Sequence, residues 1–207
     1  MKLILVRHGE IASAGTGICY GSTDVPLSEK GRTQAAALQK RFAMERIETF
    51  YSSTLQRGRD TADIVSRLHS KTVKVDEAIN EVNFGRIEQQ TYDWVLKEYP
   101  DIAELWLSGS TEIAFPGGEN FQSLIERSTM FIQRVIAEHG PGDTVMIVSH
   151  GGPLRIIICH LLGIPVSHHW QLTVERASVS ILRLTGDKAV LDCLNDMSHC
   201  IEIEGTT

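Results

Sequence analysis

The sequence predicts an α/β fold: a mostly parallel central sheet flanked by helices in a three-layer sandwich, as one domain over residues 1–207. Three observations lead there. Short β-branched runs alternate with longer segments whose apolar residues recur at helical spacing. The first run, Leu3-Ile4-Leu5-Val6, is apolar at every position, as a strand covered on both faces must be. Finally, no repeat, low-complexity tract or long linker divides the 207 residues, a length that can bury one α/β core.

The elements follow in order. After the first strand, Ser28 through Phe42 carries Ala35, Leu38 and Phe42 on one helical face, and Ile47 to Tyr51 reads as the second strand. Ser53 stands three residues before Gln56, the spacing of a capping box. The next helix is therefore expected to start near Thr54 and run through Ala62, Val65 and Leu68, with Arg57 in its first turn. Val73 to Val75 is a short strand, and Asn83 to Gln90, containing Gly85, a loop. Trp94 to Leu107 reads as one or two short helices broken at Pro100, and Pro116-Gly117-Gly118 as a turn. The clearest helix carries Phe121, Leu124, Ile125, Ser128, Phe131, Ile132, Val135 and Ile136, and Gly140-Pro141-Gly142 stops it. Thr144 to Val148 is a strand, Gly151-Gly152-Pro153 opens a helix, and Val179 to Leu184 and Val190 to Leu194 complete the sheet.

Composition narrows the function. A net charge of −6 argues against a nucleic-acid binder, whose domain would carry excess Lys and Arg. The apolar stretch Leu3 to Val6 is too short for a signal or membrane segment, which places the expected location in the cytoplasm with no membrane partner. Cys19, Cys159, Cys193 and Cys200 show no paired spacing and read as reduced packing residues. His69, His139, His160, His168, His169 and His199 lack ligand spacing, so neither a metal nor another cofactor is expected. Gly15 and Gly17 do not make a dinucleotide loop, because Tyr20 stands where the last glycine belongs.

Ligands of open α/β sheets bind outside the carboxyl ends of the strands. Three polar clusters fall there: Arg7-His8, Ser52 to Arg57, and Ser149-His150. A phosphate monoester is a dianion near neutral pH, and the planar donors of Arg7 and Arg57 match its oxygens. Cleavage without a metal needs a nucleophile, and neutral imidazole serves because its reference pKa is about 6.5. A carboxyl group must then protonate the departing oxygen and later activate water; Glu81 fills that role if its loop folds over the cleft. Glu77 and Glu88 flank the same irregular region, whereas Glu10 and Glu119 read equally as orienting groups or as exposed loop carboxylates. Phe84, Tyr92, Trp94, Trp106 and Phe115 read either as an apolar wall around a leaving group or as core.

Taken together, Leu5-Val6-Arg7-His8-Gly9-Glu10, Ser52-Ser53-Thr54-Leu55-Gln56-Arg57 with Thr61-Ala62, Glu81 with Gly85, Pro116-Gly117-Gly118-Glu119 and Ser149-His150-Gly151-Gly152 resemble the histidine phosphatase superfamily, the phosphoglycerate-mutase-like family. The resemblance covers nearly the whole chain. It implies that His8 is the phosphorylated nucleophile, that Arg7, Arg57, His150 and Gly151 bind the phosphate, and that Glu81 is the proton donor. The irregular segment at about 81–118 would cover the substrate. Many members carry Asn where Ala14 stands here, which removes one side-chain donor. Cys19 through Leu27 resembles the α-ribazole phosphatases of cobalamin synthesis. The family's mutases carry a longer insert with paired arginines, but between Glu81 and Pro116 this chain has only Arg86 and Lys97. The resemblance therefore implies hydrolysis of a small-molecule phosphate ester, with a phosphoglycerate mutase or a non-catalytic phosphate-binding regulatory domain as the alternatives.

Overall fold

The structure, a computed structural model, describes residues 1–12, 15 and 17–200; Ala14 lies outside them. Six strands form one sheet: β1 (Lys2–Arg7), β2 (Thr49–Ser52), β3 (Val73–Val75), β4 (Thr144–Ser149), β5 (Val179–Thr185) and β6 (Lys188–Asp196), in the order β3-β2-β4-β1-β5-β6. The four strands from β3 to β1 run parallel, while β5 and β6 add an antiparallel edge. The helices are α1 (Glu29–Phe42), α2 (Gln56–Ser66), α3 (Tyr92–Glu98), α4 (Pro100–Leu107), α5 (Phe121–Glu138) and α6 (Gly151–Leu162).

The two-residue period of a strand decides how the layers form. Leu3 and Leu5 of β1, with Val145 and Ile147 of β4, face the core shared with Phe131, Ile132 and Val135 of α5 and Leu154, Ile157 and Ile158 of α6. Ile4, Val6, Met146 and Val148 point the other way, onto Leu38 and Phe42 of α1 and Ala62 and Val65 of α2. Continuous apolar runs thus serve two cores at once, the three-layer arrangement expected of buried parallel strands.

The expected capping box is not formed. The residue before α2 is Leu55, which makes no side-chain cap, and the helix starts at Gln56 rather than near Thr54. Its first amide is met from a distant loop, Asp24 Oδ1 accepting from Gln56 N at 2.7 Å. The Ser53 hydroxyl is held instead by the His150 ring, 2.8 Å from Nε2. At the other end α2 stops at Ser66; Leu68 falls in a 3-10 turn and is exposed, and Ser70 at φ +52° closes the segment. Pro100 does divide two helices, as first residue of α4. The expected loop at Asn83 to Gln90 contains one 3-10 turn, Gly85–Ile87.

Candidate active site

β1 and β4 are parallel neighbours with Arg7 opposite Ser149, and β2 lies on the far side of β4. Their carboxyl ends therefore deliver Arg7-His8, Ser149-His150 and Ser52-Ser53 to one edge of the sheet. There a cavity of about 650 Å³ opens, lined among others by Arg7, His8, Arg57, Glu81 and Gly151.

His8 is buried, and its Nδ1 lies 2.7 Å from the carbonyl of Gly9. A carbonyl only accepts, so Nδ1 carries the proton and Nε2 keeps the lone pair. Burial, then the charges of Arg57 and Arg7, hold the His8 pKa well below 6.5. The ring is accordingly neutral near pH 7, the form a nucleophile requires.

Arg57, in the first turn of α2, is 1% exposed although it is a guanidinium. Its Nη1 donates to Thr23 O at 2.8 Å, its Nη2 to Gly21 O at 2.5 Å, and its Nε to His150 Nδ1 at 3.3 Å. With Nδ1 accepting, His150 must carry its proton on Nε2 and donate it to Ser53. The two imidazoles stand 4.9 Å apart, and His150, fully buried, contacts both Arg57 and His8. Arg7 donates from Nη1 to Val174 O at 2.7 Å, and its buried Nε has no partner. Burial pushes the Arg7 pKa down to about 10, with Arg176 and Arg155 adding to the drop and Glu81 opposing it.

Glu81 enters the same cavity. Its carboxylate accepts from Val82 N at 3.1 Å and from Gly152 N at 3.2 Å, so it sits on the first turn of α6, where the helix dipole favours negative charge. Only glycine permits this approach: a Cβ at Gly152 would lie 2.5 Å from Glu81 Oε1. The backbone that carries Glu81 is clamped by Arg127 of α5, which donates to the carbonyls of Ala78, Asn80 and Glu81 at 2.9, 2.6 and 3.3 Å. Glu119 holds Arg127 through two bonds of 2.7 and 2.9 Å, so it is an orienting group rather than a free carboxylate.

Sequence reasoning missed Arg155 and Arg176, which also line the cavity. Arg155 had a usable signal, since it follows Gly151 by four residues and shares its face of α6. Its Nε donates to Leu172 O at 2.8 Å and its guanidinium lies 4.8 Å from the ring centre of Trp170. Arg176 sits in the turn before β5 and carried no such signal. Four arginines thus face one carboxylate in a chain of net charge −6, a local field suited to a phosphate dianion. Among the described residues no group of three or more His, Cys, Asp or Glu side chains is placed to hold a metal ion, and the arginines that line the cavity are Arg7, Arg57, Arg155 and Arg176.

Glu88 belongs to the same irregular region as Glu81. It accepts from the amides of Gly21, Ser22, Thr23 and Phe84 and from the hydroxyls of Ser22 and Thr23, at 2.5–3.2 Å. The loop it gathers is the one whose carbonyls hold Arg57. Of the five aromatic residues weighed as wall or core, Phe84, Tyr92, Trp106 and Phe115 line the cavity, while Trp94 packs on Tyr99, their ring centres 5.7 Å apart.

The model of the histidine phosphatase superfamily (branch 1) matches residues 3–197. The chain is 32% identical to phosphoserine phosphatase 1 of Hydrogenobacter thermophilus, over 96% of this chain and 94% of the relative. It is 30% identical to the adenosylcobalamin/alpha-ribazole phosphatase of Salmonella typhimurium, over 94% of this chain and 96% of the relative. The crystal structure of the alpha-ribazole phosphatase from Shigella flexneri superposes with a TM-score of 0.86 at 29% identity, covering 95% of this chain and 96% of that one.

Proposed function

The chain belongs to the histidine phosphatase superfamily and is a phosphoric monoester hydrolase, and on that premise we propose that it works through a phosphohistidine on Nε2 of His8. The observation that carries the reading is the neutral His8 ring, with Nδ1–H spent on the Gly9 carbonyl, in a cavity lined by arginines. Arg7, Arg57 and the start of α6 at Gly151 bind the phosphate, and His150 holds Arg57 and backs His8. In the first step the Nε2 lone pair attacks phosphorus, the ester P–O bond breaks, and protonated Glu81 gives its proton to the leaving oxygen. In the second, Glu81 takes a proton from water, the water oxygen attacks phosphorus, and the P–N bond breaks, returning the lone pair to Nε2 and releasing inorganic phosphate. The carboxyl ends as it began.

The ester we propose is α-ribazole 5'-phosphate, within cobalamin synthesis in the cytoplasm. Its support is the Cys19 to Leu27 stretch and the α-ribazole phosphatases among the relatives. Rapid acid-quench should trap a phosphoryl group on wild type and none on His8→Ala; turnover by the alanine variant rejects the mechanism. A panel of α-ribazole phosphate, phosphoserine, phosphoglycerates and sugar phosphates, ranked by kcat/KM, tests the substrate. A first place for phosphoserine rejects it, and isomerised phosphoglycerate in place of free phosphate makes the enzyme a mutase.

A further inference from the structure

Thr61, one turn past Arg57 on α2, is fully buried, and its hydroxyl is used twice. Thr61 Oγ1 donates to the Arg57 carbonyl at 2.8 Å and accepts from Gly9 N at 3.2 Å. A threonine inside a helix often bonds the carbonyl four residues back and does nothing more. Here the second bond reaches the residue that follows His8. Because an N–H can only donate and a carbonyl only accept, the direction of both bonds is fixed. Among the described residues nothing else accepts from Gly9 N. Gly9 is buried and has no side chain to hold its backbone in place. It passes between the two helices, with Thr61 on the α2 side and Gly31 on the α1 side, where a Cβ at Gly9 would lie 2.6 Å from Gly31 O. The carbonyl of this same Gly9 receives Nδ1–H of His8 at 2.7 Å. Thr61, Gly9 and the His8 ring are thus joined by hydrogen bonds that end at the proton whose position leaves Nε2 free.

Resting on the phosphohistidine reading above, we propose that Thr61 is a positioning residue for the nucleophile: its hydroxyl fixes the Gly9 backbone so that the Gly9 carbonyl keeps His8 in the Nδ1–H tautomer, with the Nε2 lone pair turned to phosphorus. Without the hydroxyl, Gly9 N–H is buried and unpaired. Rotation about the glycine backbone, which has no Cβ to oppose it, then relieves that group and takes the carbonyl away from Nδ1.

Thr61→Val removes the hydroxyl at nearly the same volume, whereas Thr61→Ser keeps it. Imidazole nitrogen NMR of the resting full chain, with the His8 resonances assigned by their loss in His8→Ala, should show the Nδ1–H tautomer in wild type and Thr61→Ser. Thr61→Val should show a mixture of tautomers. Rapid quench with nitrophenyl phosphate, whose leaving group needs no proton from Glu81, should show phosphohistidine formation slowed about 10- to 100-fold by valine and restored by serine. Inhibition by inorganic phosphate should stay near wild type in both, because within the helix the Arg57 carbonyl keeps the Thr61 amide. A pure Nδ1–H tautomer with wild-type phosphorylation in Thr61→Val overturns the proposal. So does a serine variant as slow as the valine one, or phosphate inhibition weakened as much as phosphorylation. If valine prevents folding, Thr61→Cys, a weak hydrogen-bonding group of similar size, takes its place, and a wild-type tautomer and rate there overturn the proposal equally. The tautomer is read without substrate, so a wild type that forms no phosphohistidine rejects the phosphohistidine reading while the tautomer comparison still decides the role of Thr61.

Discussion

Replacing Glu88 with Gln tests whether a residue remote from the reacting atoms sets the phosphate pocket. Each carboxylate oxygen of Glu88 serves three donors: Oε1 those of Ser22 N, Ser22 Oγ and Phe84 N, and Oε2 those of Gly21 N, Thr23 N and Thr23 Oγ1. Glutamine keeps one acceptor and turns the other oxygen into a donor. The hydroxyl on that side can rotate to accept, but two backbone N–H groups lose their partner whichever way the amide points. An unsatisfied buried donor costs about 1–3 kcal/mol, and because Glu88 is only half-buried the low half of that range applies, about 2–4 kcal/mol in all. The loop would then relax, and with it the Gly21 and Thr23 carbonyls that aim Arg57. Urea unfolding should report the loss of stability, and the inhibition constant of inorganic phosphate should rise about tenfold, one charge-assisted contact's worth. Because Glu88 acts through Arg57, the second effect should shrink in an Arg57→Lys background. Full additivity in that double-mutant cycle, or lost stability with unaltered phosphate inhibition, refutes the relay. The pH dependence has a definite sign. Burial pushes the Glu88 carboxyl up, but hydrogen bonds from Thr23, Phe84, Gly21 and Ser22 outweigh it and hold it below the usual carboxylate range. Its stabilisation is therefore present above the unfolded-state pKa and lost as pH falls through the folded one, and the glutamine variant should lack that acid-side loss.

Four further outcomes are expected. Arg57→Ala should weaken both phosphate inhibition and turnover and Arg57→Lys recover only part, since lysine has no planar fork to reach Gly21, Thr23 and His150 together; wild-type kinetics for lysine would remove Arg57 from the pocket. Glu81→Gln should slow phosphohistidine formation about 10²–10⁴-fold for an alkyl phosphate and far less for nitrophenyl phosphate in single-turnover quench, whereas equal slowing of both esters assigns the acid elsewhere. Ser53→Ala strands the buried Nε2–H of His150 and should destabilise the protein by about 1–3 kcal/mol in urea; an unchanged midpoint contradicts the assigned tautomer. EDTA should leave turnover intact because arginines supply the charge facing the phosphate, and a loss restored by magnesium refutes the metal-free mechanism.

By itself the sequence determined whatever is encoded over a few neighbouring residues. The runs at Leu3 to Val6 and Thr144 to Val148 are apolar on both faces and so had to lie between two layers. Pro100 had to divide two helices because its ring cannot continue one, and Arg7, His8 and His150 had to sit at strand ends. The Ser53 cap failed for a reason no local pattern contains: the hydroxyl faces His150, 97 residues away, and Asp24 reaches the helix start from another loop. The same holds for Glu88 and Arg127, which fall in no motif, and for the choice of Arg127 as the group that Glu119 orients; these roles exist only once distant loops are brought within hydrogen-bonding distance. Which carboxylate enters the cavity, how Arg57 is aimed, and which aromatic rings form its wall were decided by tertiary structure, because hydrogen bonding and ring packing act over a few ångströms of space whatever the separation along the chain.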